Sequence, residues 1–115
     1  YHEEPVHLRV FHHRLCMQAA AYQNGMWVVG TAKAGKEDGF GLYGASCIVA
    51  PTGEIVAQAL TEDDEVVVFN ADLDMGRYIK QTVFNFDKHR RIEHYGLITS
   101  QTGVVLPEHL KKAAE

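Results

Sequence analysis

With 115 residues, 46% of them apolar and 23% charged, the chain has the makings of one globular domain or part of one, able to bury about two thirds of its unfolded surface. No stretch approaches the roughly 18 apolar residues of a membrane span, so no membrane partner is expected. A net charge of −4 argues against an electrostatic hold on nucleic acid.

Residues 5–24 carry Leu8, Phe11, Leu15, Ala19 and Tyr22 at spacings of three and four, which predicts a helix with one buried stripe. Glu3 and Glu4 suit its positive end, Pro5 suits its start and Asn24-Gly25 its stop. Arg9, His13 and Arg14 fall off that stripe, and Ala19-Ala20-Ala21 offers a smooth surface for close packing. Residues 26–32 then read as a short buried strand, on the strand preference of Trp27, Val28 and Val29. Residues 33–42, with Gly35, Gly39 and Gly41, read as a loop.

Residues 46–50 and 54–59 are expected to form a hairpin across Pro51-Thr52-Gly53. A polar turn at 61–64 leads into 65–71, EVVVFNA, whose unbroken apolar centre predicts a third strand buried on both faces. A short helix starts near Asp72 or Asp74 and turns Leu73, Tyr78 and Ile79 inward. Residues 82–98 form an extended aromatic and basic arm, and 107–115 a frayed terminal helix. A sheet of doubly apolar strands needs two covering layers, and this order of elements supplies one good helix. Another copy of the chain, or the rest of a larger domain, should cover the far face.

Several motifs imitate chemistry. Gly39, Gly41 and Gly44 spell GxGxxG, yet a phosphate cradle needs a helix next, and Ala45 to Ala50 is strand-like. Gly44-Ala45-Ser46 begins like a nucleophile turn, but Ile48 stands where the second glycine should be, so Ser46 reads as a small hydrogen-bonded residue. Cys16 and Cys47 lack the spacing of a disulfide framework or zinc ribbon, read as structural thiols and fit a reducing, cytoplasmic setting. His2, His7, His12, His13, His89, His94 and His109 form no ligand pattern, so no metal is expected. His12, beside Phe11, is the one placed near a pocket. The glycine loop is expected to border that pocket, adding Gly35, Glu37 and Tyr43 to its lining. The arm residues Phe84, Phe86, Lys88, Arg90, Arg91 and Tyr95 have the composition of a single-strand-binding surface, but in an acidic chain they read better as an anchoring tail.

The ordered set Phe11-His12-His13, Tyr22-Gln23-Asn24-Gly25, the run GASCIVAPTGEIV from Gly44, then Phe84-Asn85-Phe86, His89-Arg90 and His94-Tyr95-Gly96-Leu97-Ile98 closely resembles the C-terminal part of the N-carbamoyl-D-amino-acid amidohydrolases. These are a branch of the nitrilase, or carbon–nitrogen hydrolase, superfamily. The resemblance implies an α/β fold that is part of a four-layer α-β-β-α sandwich, with largely antiparallel strands here. It also implies hydrolysis of a small N-carbamoyl or amide substrate by a Glu-Lys-Cys set without cofactor. In the family that set precedes the matching segment, and neither Cys16 nor Cys47 corresponds to the nucleophile, so no catalytic residue is assigned to this chain. The family's segment before the helix is longer than residues 1–10, and the family arm usually has proline where Ile92 stands.

The resemblance divides the chain into a hydrolase segment, 1–98, and a tail, 99–115. Opening on Tyr1 without a basic leader, the sequence reads as a processed chain or a fragment. Its expected partners are the missing N-terminal part of the same domain or further copies of itself. Two other readings are a non-catalytic folding or oligomerisation module and a small stand-alone enzyme using Cys16 or Cys47.

Overall fold

The computed structural model describes residues 4–111, so Glu3, His2 and the last residues of the expected terminal helix lie outside the described residues. The first helix, α1 (Val6–Asn24), begins where the sequence predicts. The Pro5 carbonyl accepts from the N–H groups of Leu8 and Arg9. It ends at Gly25, whose φ of 54° places it in the left-handed region, and the N–H groups of Gly25 and Met26 close onto the carbonyls of Tyr22 and Ala21.

Five short strands follow: β1 (Val28–Gly30), β2 (Ala34–Glu37), β3 (Phe40–Tyr43), β4 (Cys47–Val49) and β5 (Ile55–Gln58). They make a three-stranded antiparallel sheet, β1-β4-β5, and a separate β2-β3 hairpin. In the central strand, Val28 pairs with Val49 and Gly30 with Cys47, while Cys47 pairs with Gln58 on the other side. The β4–β5 hairpin turns at 51–53 as expected, with Gly53 donating to Ala50 and Ala50 donating to Glu54. Alternation along β4 sends Cys47 and Val49 toward α1, where they meet Ala21, Met17, Val28 and Ile55 in a buried core. Gly30 permits this approach, since a Cβ there would stand 3.3 Å from the Met17 sulfur and the His13 ring.

The sequence expectations fail in five places. The loop expected at 33–42 is the β2–β3 hairpin, turned by Asp38 and Gly39 at φ of 50° and 86°, the Asp-Gly signature of a type I′ turn. The α1 stripe expected to be buried is exposed: Phe11 and Leu15 remain 56% and 51% accessible, while Arg9, His13 and Arg14 lie half-buried on the packed side. The long aliphatic stems of arginine allow this, covering apolar surface as leucine would.

Residues 65–71 join no sheet, with Val66 87% exposed: they form no ladder with β1 or β5, although each of these edge strands is paired on one side only, by β4. The short helix α2 (Arg77–Gln81) buries Ile79 but leaves Leu73 and Tyr78 in solvent. The expected extended arm is a string of short turns, α3 (Phe86–His89), a 3-10 turn (Ile92–His94) and α4 (Gly96–Ser100), with α5 (Glu108–Lys111) beyond. Asn85 caps α3 by accepting from the Lys88 N–H, and one-turn helices like these form on local caps rather than on a stripe.

The radius of gyration is 20.0 Å, against about 13 Å for a compact domain of this length. Among the described residues a helix covers one face of the sheet, and Val29 on the other remains 66% exposed. The deficit of covering layers read from the sequence is therefore present in the fold.

Candidate functional site

Ser46 is held at the start of β4 by a reciprocal pair of bonds. The Ala32 N–H donates to its hydroxyl oxygen at 3.0 Å, and the hydroxyl donates to the Ala32 carbonyl at 3.2 Å. Its proton is thereby given to a backbone carbonyl, and no His, Asp or Glu side chain among the described residues is hydrogen-bonded to it as a base. Gly39 turns a hairpin, Gly41 lies within β3 and Gly44, at φ 59°, bends the chain into the sheet, with Ala45 also left-handed at 59°. A Cβ at Gly44 would come within 2.8 Å of the Ala34 Cβ, so this glycine serves close packing and not a phosphate.

The base of the hairpin walls a cleft of about 310 Å³ with Lys33, Ser46, Thr61, Asp63, Asp64 and Glu65. Two of its charged groups, Glu65 and Lys33, are partnered within the chain. Glu65 Oε2 accepts from the N–H groups of Leu60 and Thr61 at 2.9 and 3.0 Å and from the Thr61 hydroxyl at 2.9 Å. Those bonds hold its carboxyl below the ordinary value. Lys33 pairs with Glu37. A second cleft, about 230 Å³, opens between α1 and the hairpin, lined by Val6, Arg9, Gly41, Leu42, Tyr43 and Glu62.

The four residues expected to line one pocket are spread over this end of the molecule. Tyr43 lines the second cleft, with the Arg9 guanidinium 5.8 Å from its ring centroid and the His13 ring edge-on at 6.0 Å. Gly35 pairs with Leu42, and a Cβ there would meet the Glu62 carbonyl at 3.5 Å. Glu37 is engaged with Lys33, and His12 lies on the exposed side of α1 with Nδ1 2.9 Å from Glu4. The residues that meet instead are Arg9 and His13, both against Tyr43, which their spacing of four along a helix could have grouped had the packed face been known.

The thiols are set apart. Cys16 is exposed on α1 and Cys47 is buried in β4, where desolvation raises its pKa against a smaller opposing pull from Arg14. Among the described residues no group of three His, Cys, Asp or Glu side chains could hold a metal ion, and no helix is long and apolar enough to cross a membrane.

A long helix laid across one face of an antiparallel sheet defines a mixed α/β scaffold. It is similar to the crystal structure of a carbon–nitrogen hydrolase from Helicobacter pylori G27, with a TM-score of 0.69 at 22% identity, over 81% of this chain and 35% of that one. The carbon–nitrogen hydrolase family model matches residues 2–81, and the chain belongs to that family. It is 34% identical over 100 residues to the N-carbamoylputrescine amidase of Arabidopsis thaliana, covering 80% of this chain and 33% of that protein. It is 24% identical over 86 residues to a probable nitrilase of Schizosaccharomyces pombe, covering 75% and 32%. The chain thus spans about a third of the length of these curated relatives.

Proposed function

We propose that the chain is the C-terminal portion of a cytoplasmic amidohydrolase that cleaves carbon–nitrogen bonds in N-carbamoyl amino acids or related amides. In this reading it contributes scaffold, while the preceding polypeptide supplies the nucleophilic cysteine, the proton-transferring glutamate and the oxyanion-stabilising lysine. The observation that carries it is the match to the carbon–nitrogen hydrolase family over residues 2–81. The similarity to an amidase three times as long supports the same division of labour.

The bare outer stripe of α1 and the uncovered face at Val29 favour an assembly, either with the remainder of the domain or with further copies. The test has two parts. The isolated chain is expected to release no ammonia from an N-carbamoyl amino acid, and the protein purified from its source is expected to bring a longer catalytic polypeptide with it. Ammonia release by the isolated chain, lost in Cys16→Ala or Cys47→Ala, overturns the assignment. A self-associating 12.9 kDa species with no second polypeptide favours the non-catalytic module instead.

A further inference from the structure

Arginine is concentrated on the packed face of α1, and Glu62, which lines the same cleft as Arg9, makes none of the ion pairs among the described residues. Arg9 and His13 stand one helical turn apart and Arg14 follows, all half-buried beneath the hairpin and sheet. Nε of Arg9, Nε2 of His13 and Nε of Arg14 are each closed off from solvent and have no hydrogen-bond partner. None of the ion pairs among the described residues includes Arg9 or Arg14. Surface arginines lose nothing by lacking a protein partner, because water serves them; these nitrogens are shielded from it.

Tyr43 holds the arrangement in place, with Arg9 over its ring and His13 against its edge. The cleft beside Arg9 and Tyr43 measures about 230 Å³, many times the roughly 10–15 Å³ that admits one water. An acceptor entering there meets a guanidinium whose planar fork matches two oxygens at once. We propose that this cleft is a binding site for a small monocarboxylate, with the Arg9 guanidinium as its principal donor. Glu62 lines the same cleft and disfavours a second negative charge, so a monocarboxylate is selected over a dicarboxylate. The site is independent of the hydrolase reading, in which Arg9, His13 and Arg14 have no part.

The test uses the full chain labelled with nitrogen-15, following the arginine Nε–H resonances while acetate is added at constant ionic strength. Acetamide, the same shape without the charge, is the control. The site predicts saturating shifts of the Arg9 resonance with acetate and none with acetamide. Arg9→Gln is expected to weaken the affinity about ten- to a hundredfold, the worth of a charge-assisted hydrogen bond. Should Arg9→Gln lose its dispersed spectrum, Arg9→Lys keeps charge and stem, removes the fork and is expected to weaken binding about tenfold. Shifts that do not saturate, that acetamide reproduces, or that persist at unchanged affinity in the folded Arg9 variant overturn the proposal.

Discussion

Gly76→Ala tests how α2 is held. The residue sits in ordinary helical conformation, at φ −76° and ψ −9°, so alanine there carries no backbone strain. On conformational entropy alone the substitution should stabilise by about 0.4–1 kcal/mol. The tertiary structure reverses that sign. An added Cβ would stand 1.8 Å from the Gly25 carbonyl oxygen and 2.6 Å from its carbon, where real contacts stay above 3.0 Å. Both sides are backbone, so no rotamer change relieves the overlap, and the segments must part by about 1.2 Å, the difference between 3.0 and 1.8 Å.

Gly25 cannot yield, because its left-handed conformation closes the end of α1. The expected cost is that of overpacking, about 1–3 kcal/mol, with α2 lifting from α1 and loosening Ile79 and the Tyr22–Phe84 ring contact. Limited trypsin digestion reads this directly, since Arg77 and Lys80 lie in the segment that opens. Cleavage there is expected to speed up about 5- to 30-fold, following the open population. Gly103→Ala, where a Cβ meets nothing within 4 Å, is the control. Equal cleavage rates in the two variants would refute the reasoning.

The two cysteines should separate by reactivity: a thiol reagent at pH 8 is expected to label exposed Cys16 and to reach Cys47 only on unfolding. Burial raises the Cys47 pKa above the ordinary 9.0, so its contribution to stability is complete below that value and is lost as pH rises beyond it. Urea midpoints measured between pH 8 and 10.5 should fall in the wild type, and Cys47→Ala should flatten the upper part of the curve. Glu65 has the opposite sign. Its carboxyl is held below 4.5 by the Leu60 and Thr61 bonds, so the turn they close is intact above that pH and opens as pH falls through the depressed value. Faster amide exchange at Leu60 and Thr61 is the readout, and in Glu65→Gln it should be raised already at neutral pH; a pH-independent rate in the wild type would count against this account.

Local chemistry made part of the fold legible. Pro5 and Asn24-Gly25 mark the ends of α1 because capping depends on the few residues at each terminus. Pro51-Thr52-Gly53 marks the β4–β5 hairpin for the same reason. Asp38-Gly39 carried an equally local turn signal, masked by glycines on both sides that lower the strand preference of β2 and β3. Tyr43 and Arg9 line one cleft, although the sequence sets Arg9, like His13 and Arg14, off the apolar stripe of the helix.

By itself, the sequence determined the family, through the ordered run GASCIVAPTGEIV and the motifs flanking it, together with the helix limits and the missing cover over the sheet. Tertiary structure alone decided which face of α1 is packed, whether EVVVFNA joins a ladder and which side chains share a cleft. Periodicity defines a stripe on a helix but not what stands opposite it, and a strand needs hydrogen-bonding partners that lie far away in sequence. The arginine-rich face became the inner one because its stems meet Tyr43 and β4, which places three nitrogen atoms out of reach of solvent in a chain whose net charge is negative.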